Sequence, residues 1–87
     1  MEKNAMFINK TSNGLNNICG AAITRKRKEM KISQRELADR LQLIGMDVDK
    51  NAIQRIEAGK RFVTDIELVY FANVLSLTFQ DLLADDN

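Results

Sequence analysis

The sequence predicts an all-α protein, a compact bundle of about five short helices, and three observations lead to this class. Apolar residues recur at three- and four-residue spacing in successive segments, which is the period of a helix packed on one face. Residues that cap helices stand directly before these segments, at Ser33, Asp49 and Thr64. The chain has 87 residues, 45% hydrophobic and 29% charged, which suits one domain with one small core.

The first helix is expected to follow a polar arm. Residues 1–17 include Gly14, show no sustained apolar period and are predicted to form an N-terminal arm that need not be ordered. A helix is predicted from Ile18 to Met30, where a partial apolar stripe precedes a basic run. The folded domain is expected over residues 18–84, and the acidic residues 85–87 form a short tail.

The second and third helices carry clear start signals. Ser33 stands three residues before Glu36, the spacing of a capping box in which each side chain bonds the other residue's backbone N–H. Asp49 predicts the start of the third helix, because its carboxylate accepts first-turn N–H groups and favours the positive end of the helix dipole. The apolar face of the second helix contains Leu37, Ala38 and Leu41.

The third helix has two faces of opposite character. At about 100° per residue, Ile53 and Ile56 point to one side. The other side consists of Lys50, Asn51, Gln54 and Arg55. The DNA major groove admits a helix, and amide and guanidinium groups form bidentate bonds with adenine and guanine. A surface helix without a DNA partner would show the same period, so this alternative stays open.

Two more helices are predicted after residue 62. Thr64 and Glu67 have capping-box spacing. The apolar face that follows consists of Leu68, Phe71, Ala72 and Leu75. After a short turn, a final helix is predicted with the apolar residues Phe79, Leu82 and Leu83.

Composition argues against several classes of protein. No apolar run approaches the roughly 18 residues of a membrane span, and residues 1–10 lack a secretory signal, which predicts a cytoplasmic protein without membrane contact. The chain has no histidine, and Cys19 is its one cysteine, so a usual zinc site or histidine-based catalysis is not expected. Cys19 is expected to be a small packing residue. We therefore expect no enzyme, no metal, no cofactor and no small-molecule ligand.

Charge is unevenly distributed along the chain, although the net charge is only +1. Residues 24–61 contain eleven Lys or Arg against six Asp or Glu, whereas residues 62–87 contain five acids and no base. Such a chain can turn one face toward phosphates and keep its acidic end away from them. A merely solvated charged surface would explain the same count.

The middle of the chain resembles the helix-turn-helix of the phage repressor and Cro-type, or XRE, family. In that family an apolar residue precedes S-Q-x-E-L-A, and x-I-x-x-I-E-x-G-K/R follows after a turn. The matching residues are Ile32, Ser33, Gln34, Glu36, Leu37, Ala38, Ile53, Ile56, Glu57, Gly59 and Lys60. The resemblance implies a lambda-repressor-like, DNA-binding domain.

The resemblance also implies roles for individual residues. The base-reading residues would be Lys50, Asn51, Gln54 and Arg55. The phosphate-contacting residues would be Gln34, Lys60, Arg61 and Arg27, with Gln34 at a helix start, where phosphates bind readily. Arg27 and Glu57 match an ion pair that, in some relatives, joins the first helix to the third, DNA-reading helix. Two solvated surface charges are the alternative interpretation of that pair.

Two features depart from the family pattern. Lys31 stands where the family usually has a glycine in a left-handed turn, so the turn is expected to be strained or differently shaped. Residues 42–48 lengthen the connection between the two motif helices by about five residues. We expect Leu43, Ile44 and Met46 to extend the helix and pack against the core, with Gly45 ending it.

The expected function is sequence-specific binding of double-stranded DNA by a homodimeric repressor. One small module makes few base contacts, so two copies reading an inverted repeat are expected. In the family the last helix often supplies the contact between subunits, which implies a dimer interface at Phe79 and Leu83. The alternative is a protein-binding regulatory or antitoxin-like module, anchored by the apolar residues 43–46.

Overall fold

Residues 10–84 are described by the structure, a computed structural model, and within this range the chain forms five α-helices and no strand. The helices are α1 (Gly20–Glu29), α2 (Gln34–Leu43), α3 (Lys50–Glu57), α4 (Asp65–Leu75) and α5 (Phe79–Leu83). This arrangement confirms the expected all-α class with five short helices. The predicted acidic tail, 85–87, and residues 1–9 of the predicted arm lie outside the described residues. Among residues 10–84, no helix has the length and apolar character needed to cross a bilayer.

All five helices contribute to one apolar core. Its largest fully buried side chains are Phe71, Ile23, Leu37, Leu41, Ile53, Ile56, Leu75 and Leu82. Helix α1 packs against α3, α4 and α5, and α2 packs against α3 and α4. Burial of each such side chain contributes about 1.5–3 kcal/mol to stability. The core therefore holds α3 by its inner face and leaves its outer face on the surface.

The helix starts are stabilised by side chains, as the sequence predicted for three of them. Ser33 Oγ accepts from the Glu36 N–H at 3.0 Å, and Asp49 Oδ1 accepts from the Ala52 N–H at 2.8 Å. The capping box of Thr64 and Glu67 is complete. A capping box also starts α5, between Thr78 and Asp81, which the sequence analysis missed.

The capping box expected at Ser33 is only half formed. The Glu36 carboxylate does not return to the Ser33 N–H; it accepts a hydrogen bond from Arg40 Nη2 at 2.7 Å. Arg40 lies one turn further along the same helix, where a carboxylate and a guanidinium meet readily. The prediction of a full box was therefore wrong, although its helix start was right.

The turn before α2 has the left-handed shape that a glycine usually provides. Lys31 has φ +60°, the Lys31 N–H donates to Lys28 O at 3.0 Å, and the Ile32 N–H donates to Arg27 O at 3.3 Å. These two bonds form the Schellman motif that ends many helices. The backbone is thus strained by about 1 kcal/mol relative to glycine and is not reshaped.

The long connection between α2 and α3 differs from the expectation in part. Helix α2 ends at Leu43, which is 86% exposed, and Ile44 is exposed as well. Gly45, at φ +110°, reverses the chain, so the residues after it enter the core. Met46 and Val48 are the buried ones. The expected packing of Leu43 and Ile44 was wrong, and that of Met46 is confirmed.

The first helix begins later than expected, because Asn17 lies before it and accepts a hydrogen bond from its first residue. Ile18 is exposed, and α1 starts at Gly20, whose N–H donates to Asn17 Oδ1 at 2.8 Å. A Cβ atom on Gly20 would lie 2.5 Å from the carbonyl oxygen of Ile56, so the N-terminus of α1 closely approaches the end of α3. The expected boundary at residue 17 places Asn17 outside the domain, whereas the structure packs it between two helices.

Candidate nucleic-acid interface

The two faces of α3 are separated as the sequence pattern implied. Ile53 and Ile56 are fully buried against the other helices. The exposed side chains of the opposite face are Lys50, Asn51, Gln54 and Arg55. Within residues 10–84, none of these four side chains forms a hydrogen bond or ion pair, so their donors and acceptors face solvent. The result is a short helix that presents two amides and two cations on one edge.

A nearly buried ion pair ties the end of α3 to α1. Arg27 Nε donates to Glu57 Oε2 at 2.7 Å, and Nη2 donates to Oε1 at 3.1 Å. The side chains are only 11% and 6% exposed. The hydrogen bond to Glu57 raises the pKa of the Arg27 guanidinium, which therefore stays charged. The bidentate geometry fixes the direction of α3 as well as its position.

The Glu57 carboxylate also binds α2. Gln34 Nε2 donates to Glu57 Oε1 at 3.0 Å, and Arg27 Nη1 donates to the carbonyl oxygen of Ile32 at 2.9 Å. One carboxylate thus joins the first turn of α2, the last turn of α3 and the last turn of α1. The structure brings Gln34, Arg27 and Glu57 together, and it favours the ion-pair role of Arg27 over a phosphate contact because its Nε, Nη1 and Nη2 all have protein acceptors.

Helix α3 ends in a turn that exposes Lys60. Gly59 has φ +76°, and its N–H donates to Ile56 O at 3.0 Å. The Lys60 N–H donates to Arg55 O at 2.8 Å, which completes a Schellman motif. The Lys60 side chain is exposed, three residues beyond the last residue of α3. Within residues 10–84 its ammonium group forms no hydrogen bond or ion pair, and a phosphate contact by Lys60 stays a prediction.

Arg61 lies in an ion pair within the protein. Its Nη1 and Nη2 donate to Glu67 Oε1 and Oε2, each at 3.0 Å, and Nη1 also donates to Phe62 O at 3.1 Å. The guanidinium lowers the pKa of the Glu67 carboxyl below its usual range, with a further contribution from the Thr64 N–H. A phosphate contact by Arg61 must therefore compete with Glu67, a competition that the sequence analysis did not foresee.

Helices α4 and α5 form an apolar groove at the surface. Phe79 is 53% exposed and Leu83 is also exposed, so both residues of the expected interface are accessible in the single chain. Ile66, at 67% exposure, and Val69 line the same groove. The sequence analysis missed these two residues. The signal was present, because both are apolar residues of α4 that fall outside its core-facing stripe.

Two further observations concern the Cys19 thiol and possible metal ligands. Cys19 is buried in the core, and burial raises the pKa of its thiol to about 11, so the thiol stays protonated and unreactive near neutral pH. Among residues 10–84, no cluster of three or more potential metal-ligating side chains occurs.

Comparison with known proteins gives one match. A model of the helix-turn-helix family matches residues 23–82, a range that begins in α1 and ends in α5. No curated protein and no solved structure matches the chain. The family match includes α2, α3 and the loop after α3, which are the elements that carry the exposed polar edge and Lys60.

Proposed function

The chain belongs to the XRE-type helix-turn-helix family of DNA-binding transcription regulators, and from this premise we propose that it is a homodimeric repressor that reads an inverted-repeat operator with α3. The observation that carries the proposal is the separation of faces on α3. Its isoleucines are buried, while the side chains of its polar edge are exposed and form no hydrogen bond or ion pair with the described residues. The match covers more than half of the chain, and the family is a regulatory one that is typically not enzymatic.

In this proposal, the edge of α3 reads base edges in the major groove. Asn51 and Gln54 carry amides that pair with adenine, and Arg55 carries a guanidinium that pairs with guanine. Lys50 at the helix start adds a flexible cation. The buried ion pair of Arg27 and Glu57 supports this role, because side chains that read bases need a helix held in one orientation.

Phosphate contacts position the edge without selecting a sequence. Lys60 is the strongest candidate, since its side chain is exposed directly after α3. At the start of α2, the Glu36 N–H is already bonded to Ser33, so the backbone N–H groups of Gln34 and Arg35 are the donors proposed for a second phosphate. Arg61 contributes only if the phosphate displaces Glu67.

The apolar groove between α4 and α5 is proposed as the contact between two subunits. Helix α5 packs on α1 and α4, while α3 packs on α1 and α2, so a second copy seated on the groove leaves α3 uncovered. Exposed apolar side chains on both helices support this assignment. Two copies related by a two-fold axis would place their α3 helices in successive major grooves, about 34–36 Å apart.

Selection of bound sequences from a random duplex pool tests the proposal at two salt concentrations. We expect an inverted repeat to be enriched, with binding that weakens steeply as salt rises. We place the protein in the cytoplasm, where its operator is accessible, and assign it no cofactor. Failure to bind any duplex at low salt would contradict the proposal.

A second candidate function has one observation in its favour. Leu43 is 86% exposed at the end of α2, and Ile44 beside it is also exposed, so two neighbouring apolar side chains face solvent. Such a pair suits a protein-binding regulatory or antitoxin-like module. Salt-independent binding of one protein partner, abolished by Leu43→Ser but not by Lys60→Ala, would favour this function over DNA reading.

A further inference from the structure

The residues just before α1 bond to the end of α3 and to the loop after it. Asn17 Nδ2 donates to the carbonyl oxygens of Ile56 at 3.0 Å and Arg61 at 2.8 Å. Its Oδ1 accepts from the Gly20 N–H. One half-buried amide therefore joins the start of α1, the last turn of α3 and the far side of the loop.

Asn16 bonds to Gly59 and Lys60, two of the four residues that lie between Ile56 and Arg61. Its backbone N–H donates to Gly59 O at 2.8 Å, and its Nδ2 donates to Lys60 O at 2.9 Å. The side chain of Leu15 packs on Gly59, where an added Cβ would lie 2.8 Å from Leu15 Cδ2. Two consecutive asparagines thus satisfy the carbonyl groups of residues 56, 59, 60 and 61.

The segment that carries the asparagines has its own local structure. The Thr11 N–H donates to Leu15 O at 2.7 Å, the Leu15 N–H donates to Thr11 Oγ1 at 2.9 Å, and the Gly14 N–H donates to Thr11 O at 2.9 Å. Lys10 Nζ donates to Asn16 Oδ1 at 2.7 Å. Three hydrogen bonds close this turn, and the turn places Asn16 and Asn17 against residues 59–61, the loop after α3.

Asn16 and Asn17 thus bond to the backbone of residues 59–61, the segment that carries the Lys60 side chain. Carbonyl groups beyond a helix end have no partner within the helix, and a loop whose carbonyls bond only to water samples many conformations. Fixing a side chain or a loop during binding costs conformational free energy. A loop that is already fixed before DNA arrives avoids part of this cost.

We propose that Asn16 and Asn17 are positioning residues for DNA binding, which hold the backbone of residues 59–61 so that Lys60 meets a phosphate. The inference rests on the proposed function, because it takes Lys60 to be a phosphate contact. It adds a role for the N-terminal segment that neither the family match over residues 23–82 nor the exposed edge of α3 contains.

The test measures binding of the full chain to one duplex of arbitrary sequence over a range of salt concentrations. A phosphate contact is independent of base sequence, so the operator need not be known. The variant Asn17→Asp keeps the side-chain oxygen that accepts from the Gly20 N–H. It replaces the Nδ2 donor by a carboxylate oxygen, which the carbonyl oxygens of Ile56 and Arg61 repel. Asn13→Asp is the matched control, because it makes the same charge change in the same segment and keeps the oxygen that accepts from Thr11.

We expect Asn17→Asp to bind about three- to tenfold more weakly than the Asn13→Asp control, with a salt slope reduced by about one. In a Lys60→Ala background the same change should have little further effect, since residues that act through one contact are not additive. Additive losses would show that Asn17 acts elsewhere and would overturn the inference.

A milder variant keeps the inference testable if Asn17→Asp does not fold, which circular dichroism reports. Asn16→Asp loses only the side-chain donor to Lys60 O and keeps the acceptor for Lys10. A salt slope equal to that of Asn13→Asp in the folded variant would overturn the inference while leaving DNA binding intact. Absence of duplex binding by the wild-type chain itself would instead contradict the proposed function.

Discussion

Helix α3 and the α4–α5 groove expose surfaces of opposite chemistry. In α3 Ile53 and Ile56 are fully buried and Ala52 is partly buried, while the outer edge consists of amides and cations. In α4 and α5 the core accepts Phe71, Leu75 and Leu82, yet Ile66 and Phe79 stay more than half exposed. An exposed polar edge is stable in water and can also form hydrogen bonds with a polar partner. Exposed apolar surface, in contrast, is removed from water when another apolar surface packs on it. The comparison favours a nucleic acid for the first surface and a protein for the second.

The largest effect is expected where the α3 surface is anchored. Glu57→Ala leaves the Arg27 guanidinium nearly buried without its partner and removes the bond to Gln34. We expect the free energy of unfolding to fall by about 3–5 kcal/mol, measured by urea denaturation. Glu36→Ala is the control, because its pair with Arg40 is exposed and should contribute less than about 1 kcal/mol. Equal losses of unfolding free energy in the two variants would show that Glu57 contributes no more to stability than an exposed ion-pair residue does.

The α4–α5 groove should affect association and leave the fold intact. Val69→Lys places a charge among exposed apolar side chains without touching the core. We expect a monomer in analytical ultracentrifugation, an operator affinity lower by about a hundredfold, and an unchanged melting temperature at low protein concentration. Asn73→Lys, on an exposed position of the same helix, is the control. A dimer that survives Val69→Lys would place the subunit contact elsewhere.

Lys60 and Arg61 are adjacent cations, but their substitution by alanine should have different effects on DNA binding and on stability. Lys60→Ala removes an exposed ammonium, so we expect weaker binding to every duplex and a salt slope lower by about one. Arg61→Ala breaks the pair with Glu67, so we expect a loss of roughly 1 kcal/mol in unfolding free energy and a smaller change in slope. Identical salt slopes in the two variants would show that phosphate displaces Glu67.

The smallest effect concerns pH. The Arg61 guanidinium lowers the pKa of Glu67 in the folded chain, so the folded state binds fewer protons than the unfolded state in the pH window between the folded and the unfolded pKa of this carboxyl. The stabilisation is therefore present above the unfolded pKa and is lost as pH falls through the folded pKa. Glu67→Gln should flatten the stability profile in that acidic window, as measured by urea denaturation at several pH values. An unchanged profile would assign the acid sensitivity to other carboxyl groups.

Features that depend on neighbouring residues could be predicted from the sequence. The caps at Asp49 and Thr64 need only the backbone three residues ahead, and the burial of Ile53 and Ile56 follows from helical period. The family pattern also led to the pair of Arg27 and Glu57, which are 30 residues apart. Local chemistry and the resemblance together therefore gave the fold class and the outer edge of α3.

Features that depend on distant partners could not be predicted in this way. Arg61 follows a helix end, which favours a phosphate contact, but a carboxylate positioned by the next helix start competes for it. Asn16 meets a carbonyl 44 residues away, and nothing in a polar segment indicates such a partner. Leu43 has the apolar character of a core residue, yet the turn at Gly45 leaves it in solvent.

The central claim is that the exposed edge of α3 reads bases, and Arg55→Ala tests it most directly. The Arg55 side chain is exposed and forms no hydrogen bond or ion pair within residues 10–84, so its loss should leave the melting temperature unchanged. The measurement is the affinity of wild type and Arg55→Ala for the selected operator and for a random duplex at one salt concentration. We predict a loss of about 1–3 kcal/mol on the operator and a clearly smaller loss on random DNA. Equal losses on both duplexes would contradict base reading by α3.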